Sequence, residues 1–376
     1  MKIEAAVARR QAEEFSVETL DIDDPRNDEV LVRISGVGVC HTDLAVRDGV
    51  LPIPLPAVLG HEGSGTVVAV GSNVTKVKVG DHVVLTFRSC GHCHSCEDDD
   101  PAYCQQFNEL NFAGVRSDGS HSLRSEGEAV SGNFFGQSSF ASYALAYEAN
   151  IVKVDERAPL PILGPLGCGV QTGAGAVMRS LSCEQHSSIL VLGAGTVGLS
   201  AVMAAVVQGC SHIIVSDPME ARRELALALG ATHVVDPMNA DLGTTVRNFL
   251  PHGVDYALDT TGNVAVLQST LSCMGHLGTL GLVGVPNKPG VTIPVDPLQL
   301  MSLGLTLKGI VEGDSDPDVF IPELEALFLN GKFPFDKLVR TYPLSEINRA
   351  VTDQARGFCV KPVLIPAEQG EAIHAV

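Results

Sequence analysis

The segment at 188–198, SILVLGAGTVG, restricts this chain more than any other stretch. Ser188–Leu192 reads as a buried strand, the glycines Gly193, Gly195 and Gly198 follow as G-x-G-x-x-G, and Val197–Gln208 continues as a helix of small residues. Such a turn serves a dinucleotide. Gly193 permits the sharp turn, Gly195 lets the backbone approach a pyrophosphate, and Gly198 lets helix pack on strand. The helix N-terminus adds free N–H groups and the positive end of its dipole. Glycines alone also serve ordinary turns, but the second strand here, His212–Val215, leads into Asp217. A carboxylate at that place accepts the ribose hydroxyls of NAD and repels the extra phosphate of NADP. Arg222 and Arg223 follow, and basic side chains there can accommodate a phosphate.

Around this unit the pattern continues with Glu220–Leu229 as helix and His233–Val235, Tyr256–Asp259 and Leu280–Val283 as strands. Strands alternating with helices predict a parallel doubly wound sheet. The first third of the chain has another rhythm. Glu29–Ile34, Gly65–Val70 and His82–Thr86 are short β-type runs separated by turns at Gly71-Ser72-Asn73 and Gly80-Asp81, which predicts a β-rich, barrel-like domain. At 376 residues, two domains are expected. After about residue 310 a helix, Phe320–Asn330, precedes extended Pro-containing stretches suited to rejoining the first domain.

Four of ten cysteines, Cys90, Cys93, Cys96 and Cys104, crowd into one loop. In a large chain that begins without a secretion signal, such crowding predicts a metal site rather than disulfides. Four thiolates close a tetrahedral zinc shell and leave no place for substrate, so the role is structural; an iron–sulfur cluster is the alternative use of such a run. Three further candidates lie in glycine-flanked turns: Cys40, His61 in Gly60-His61-Glu62-Gly63, and Cys168 in Gly167-Cys168-Gly169. Singly, each reads as an ordinary buried residue. Together, Cys2His with one open position is a catalytic zinc shell.

With Cys40-His41-Thr42-Asp43, Gly60-His61-Glu62-Gly63, the cysteine lobe, Gly167-Cys168-Gly169 with Thr172-Gly173, and the dinucleotide turn in this order, the chain resembles the zinc-dependent medium-chain alcohol dehydrogenases over nearly its whole length. The wording Phe134–Phe140 (FFGQSSF), Leu163–Gly169 (LGPLGCG) and Gly309–Gly313 (GIVEG) is similar to the aryl-alcohol (benzyl alcohol) and geraniol branch. The resemblance implies an α/β fold with a GroES-like catalytic domain, 1–169 plus 310–376, and a Rossmann domain, 170–309, between. It also implies two Zn2+ per chain, NAD, and a homodimer or homotetramer acting on a small alcohol or aldehyde. By position it makes Cys40, His61 and Cys168 ligands of the catalytic zinc. Asp43 becomes the partner fixing the His61 tautomer, Glu62 a neighbour of the metal, and Thr42 the first proton acceptor. His41 and Lys361 become pyrophosphate contacts and Arg222 an adenosine-ribose contact. Thr172 and Val197 lie against the nicotinamide, Val283 and Val285 are further cofactor contacts, and Gly284–Pro289 is a hinge-side loop. Where many relatives carry a histidine three residues after Thr42, this chain has Ala45, which leaves Arg47, His41 or water as the next proton carrier.

A net charge of −19 argues against nucleic acid, whose phosphates it repels. No apolar run is long enough to cross a bilayer, and the cytosol is the expected compartment. Three competing readings share some of these motifs. A glutathione-dependent formaldehyde dehydrogenase shares all of them but needs a basic pocket, and Arg and Lys are sparse. A zinc-free reductase of the superfamily is at odds with the intact Cys40, His61 and Cys168. A non-enzymatic zinc- and NAD-binding protein has little use for an open metal shell.

Overall fold

The computed structural model describes residues 1–286, 288 and 290–367. The chain divides into two compact units, Met1–Cys168 with the chain from Val339 onward, and Gly169–Leu338.

The first unit is built on two sheets. The larger, seven-stranded sheet has Glu29–Gly38 at its centre, paired with Gly63–Val70 and Tyr143–Tyr147 on its flanks and with Lys361–Ile365 at its far end. This central strand is buried along nearly its whole length, with only Arg33 exposed; Val30, Leu31, Val32, Ile34 and Val37 fill both of its faces. Lys361–Ile365 and Val339–Pro343 complete the sheet as a parallel pair, so the end of the chain does rejoin the first unit. A five-stranded sheet from Lys2–Ala8, Ser16–Ile22 and three shorter strands forms the other layer.

The second unit is a six-stranded sheet in the order His233–Val235, His212–Ser216, Ser188–Leu192, Val254–Asp259, Met274–Leu282, Thr306–Gly309, parallel throughout. The expected doubly wound arrangement is present, and the order reverses beside Ser188–Leu192, where such sheets bind ligands. Ile189, Leu190, Val191 and Leu192 are fully buried; truncating one of these leucines to alanine would cost about 2–5 kcal/mol.

The return to the first unit occurs at Val339, not at the expected 310. The helix Pro317–Leu329 packs against the helix Gly169–Gly175 of the second unit and buries Phe320, Ile321 and Leu324. It begins three residues before the expected Phe320 because Asp316 caps it, accepting the Asp318 N–H at 2.9 Å, and Pro317 occupies its first position. No helix among the described residues is long and apolar enough to cross a membrane.

Candidate functional site

Among the described residues, two side-chain groups in the first unit could hold metal ions. The first is Cys90, Cys93, Cys96 and Cys104. Its sulfurs stand 3.5 Å (Cys93–Cys96), 3.9 Å (Cys90–Cys96) and 4.0 Å (Cys93–Cys104) apart. A disulfide needs roughly 2 Å, whereas a tetrahedral zinc with bonds of about 2.3 Å places its sulfurs roughly 3.8 Å apart. The backbone N–H groups of Cys90 and Gln106 donate to Cys104 Sγ, and that of Gln105 donates to Cys93 Sγ. The loop thus points backbone donors at two of the sulfurs, an arrangement suited to thiolates bound to a cation.

In the second group, Cys40, His61, Glu62 and Cys168 bring their ligand atoms within 4.8 Å of one another. Asp43 assembles it. Cys40 caps the short helix His41–Arg47, and Asp43 Oδ2 accepts the Cys40 N–H at 2.8 Å. The other oxygen accepts from Gly60 N at 3.0 Å and sits 2.9 Å from His61 Nδ1. One buried carboxylate therefore ties the Cys40 turn to the His61 turn. With Nδ1–H donated to Asp43, His61 Nε2 keeps its lone pair, and that buried atom has no hydrogen-bond partner. An orphaned buried nitrogen beside two thiols fits a metal ion. The electrostatics agree. The Cys168 thiol beside it holds Cys40 well below its usual range, against the opposing effect of burial. Burial disfavours charge on His61, yet Asp43 and Cys40 hold its proton well above the usual range. A bound cation replaces that proton.

The sequence run Phe134–Phe140 turns out to bracket His61. Phe135 stacks on the imidazole at 4.5 Å between centroids, and Phe134 meets its edge at 5.3 Å. Gln137 Nε2 donates to the carbonyls of His61 and Thr86, and Oε1 accepts from Gly63 N. Phe135 holds φ at 52° to reach its place, a backbone state that is costly for an aromatic residue. Sequence reasoning had noted this run only as family wording.

Lys361 stands beside the metal-ligand group, bonded to Glu62. Expected at a pyrophosphate, it is buried, and its ammonium donates to both Glu62 oxygens at 2.9 and 2.8 Å and to the Val39 carbonyl at 3.0 Å. An ammonium has three donors, and these three contacts engage them all. Burial raises the Glu62 carboxyl above its usual range and Lys361 works against that rise. Around the same turn His41 is exposed, Thr42 is half-buried with its hydroxyl 3.8 Å from Cys40 Sγ, and Ala45 is buried. Arg47 is engaged elsewhere, paired with Asp48 at 2.7 Å and lying over the Phe15 ring.

The second unit carries the nucleotide candidates. Gly193 takes a φ of 92°, and a Cβ on Gly198 would lie 1.9 Å from the Gly193 carbonyl oxygen, so both glycines are required where the sequence put them. A cavity of about 320 Å³ is lined by Gly193, Gly195, Asp217, Arg222, Thr260 and Val266, among others. Asp217 is anchored by N–H groups of Ala194 and Met219, each at 2.8 Å. Each oxygen retains a lone pair for a ribose hydroxyl. The cavity, the glycine turn and this carboxylate fit the adenosine half of NAD. Arg223 is drawn to Asp236 and to the Asp217 carbonyl, whereas Arg222 Nε is buried without a partner. Thr172 donates to Glu312 Oε2 at 3.2 Å; the sequence marks Glu312 only within the wording Gly309–Gly313 and assigns it no role. Val283 N donates to the Asp259 carbonyl and Val285 is exposed. Of the expected hinge-side loop Gly284–Pro289, Asn287 and Pro289 lie outside the described residues.

Residues 26–156 match the alcohol dehydrogenase GroES-like domain, and 196–328 match the zinc-binding dehydrogenase domain. The chain is 48% identical to geraniol dehydrogenase of Castellaniella defragrans over 364 residues, covering 96% of this chain and 97% of that one. The crystal structure of benzyl alcohol dehydrogenase from Acinetobacter calcoaceticus superposes with a TM-score of 0.95 at 47% identity, covering 98% of this chain and all of that one. An alcohol dehydrogenase zinc-binding domain protein from Burkholderia ambifaria gives a TM-score of 0.95 at 52% identity, covering 97% and 99%. The Cys2His cluster, the closed cysteine lobe, the dinucleotide turn and these likenesses converge on one conclusion: the chain belongs to the zinc-dependent alcohol dehydrogenase family.

Proposed function

We propose that this enzyme oxidises primary alcohols whose hydroxyl carbon adjoins an aromatic ring or a carbon–carbon double bond, with NAD as hydride acceptor, and runs the reverse reduction of the aldehyde. The observation that carries the reaction class is the orphaned His61 Nε2 facing Cys40 and Cys168. Benzyl alcohol and geraniol, the substrates in the names of the two relatives, share an unsaturated carbon next to the carbinol, and that feature carries the substrate class.

Zinc held by Cys40, His61 and Cys168 would supply a Lewis acid that lowers the pKa of an alcohol, and NAD would take up the hydride. The protein's own part follows from its contacts. Asp43 fixes the His61 tautomer. Phe134 and Phe135 keep water from the imidazole face. Thr42, half-buried beside Cys40, has a hydroxyl that can accept the substrate proton and donate its own to water. Ala45 offers no onward carrier and the Arg47 guanidinium does not deprotonate, so the exit runs to solvent beside the exposed His41. Asp217 receives the ribose hydroxyls and favours NAD over NADP. The cysteine lobe holds a structural zinc. A homodimer or homotetramer in the cytosol accords with the family resemblance.

Initial rates of NADH formation with benzyl alcohol, geraniol and ethanol test the reading. Benzyl alcohol or geraniol should exceed ethanol in kcat/KM; ethanol matching both would overturn the substrate class.

A further inference from the structure

Three consecutive residues of the second unit occupy the left-handed backbone region: φ is 49° at Glu312, 72° at Gly313 and 50° at Asp314. L residues visit this region singly and seldom in runs, and stored strain of this kind marks sites where something must be held. The turn is anchored at both ends. Asp314 accepts from Ser180 Oγ at 2.6 Å and pairs with Lys308 at 3.0 Å. Gly313 is pressed onto the helix Gly169–Gly175, where a Cβ would lie 2.6 Å from the Gln171 carbonyl oxygen and 2.8 Å from Gly175 Cα. So seated, Glu312 is buried, and its Oε2 accepts from Thr172 Oγ1 at 3.2 Å and from Gln171 Nε2 at 3.3 Å. The next residue of that helix, Gly173, abuts the first turn of Thr196–Gln208, where a Cβ would lie 2.0 Å from the Val197 carbonyl oxygen. The strained turn, Thr172 and the N-terminus of the dinucleotide helix are thus packed in series.

We propose that Glu312 is a positioning residue for the nicotinamide end of the cofactor, orienting Thr172 and Gln171 and biasing the site toward the oxidised, cationic ring. The inference rests on the NAD reading above. The cavity at Asp217 takes the adenosine end, so the other half of a dinucleotide runs past Val197 toward Thr172. An oxidised nicotinamide carries a positive charge that hydride uptake removes. A carboxylate fixed in a low-dielectric site stabilises the first state and leaves the neutral second one almost unaffected.

Equilibrium binding of NAD+ and of NADH to the zinc-loaded protein, followed by calorimetry, tests this in wild type and in Glu312→Gln. Glutamine keeps the shape and an oxygen for Thr172 but not the charge. NAD+ should weaken on the order of tenfold relative to NADH, with Glu312→Asp recovering most of the bias. Glu312→Ala also removes the charge and must show the same loss of bias, which keeps the test decisive should the glutamine protein fail to fold. An equal change for the two nucleotides, or none, overturns the proposal. Wild-type protein that binds neither nucleotide would instead overturn the NAD reading itself.

Discussion

Asp43 Oδ1 stands 2.9 Å from His61 Nδ1, with both side chains wholly buried. The same carboxylate also accepts the backbone N–H groups of Cys40 and Gly60, so the group that sets the tautomer of one metal ligand also sets the backbone of another. Asp43→Asn retains the volume but turns one accepting oxygen into a donor. Zinc affinity at the open site, measured by metal content against a chelator series, should fall about 10–100-fold. A wild-type affinity would mean that the tautomer is fixed by something else.

Gln137 presents a second such link, since its amide joins His61, Thr86 and Gly63. Gln137→Leu would remove the donor to the His61 carbonyl and the acceptor of the Gly63 N–H, while Asn150 Nδ2 still donates to the Thr86 carbonyl; a buried group left unmade costs about 1–3 kcal/mol. Thermal or denaturant unfolding should show a loss of several kcal/mol, and a loss under 0.5 kcal/mol would count against the bracket described here.

Cofactor choice rests on Asp217. Asp217→Ser removes the negative charge from the ribose pocket while Arg222, whose Nε is buried without a partner, remains. The ratio of kcat/KM for NADP to that for NAD should rise on the order of tenfold or more, about 1.4 kcal/mol. An unchanged ratio would remove Asp217 as the determinant.

Proton transfer gives a sharper expectation. Thr42→Ala should slow hydride transfer on the order of a hundredfold, the usual effect of losing a placed proton carrier, and Thr42→Ser should be mild. Pre-steady-state NADH formation measures both, and an unimpaired alanine variant would place the proton route elsewhere.

Much of this was legible in the sequence because glycine and cysteine chemistry is local. Gly193 and Gly198 do what their spacing implied, and the cysteine lobe closes within one loop. The strand Ser188–Leu192 announces itself as an apolar run. Contacts between distant segments were less accessible. Lys361 reads as a cation available to phosphate, and only folding reveals Glu62, nearly three hundred residues earlier, as its partner. Glu312 stands out in the sequence only as part of the family wording Gly309–Gly313, because its role depends on a left-handed turn seated on another helix. The boundary near 310 was misplaced for a related reason. A helix pattern shows that Phe320, Ile321 and Leu324 have an apolar face, not which unit covers it.

The most direct test of the account is zinc content and benzyl alcohol turnover of Cys168→Ser measured on the same preparation. Wild-type protein should hold two zinc ions per chain. The variant should keep the lobe zinc and its fold, lose the other ion, and fall to background NADH formation, because a hydroxyl is a poor substitute for a thiolate in a Cys2His shell. Full turnover by a variant holding one zinc would contradict the assignment of the catalytic centre.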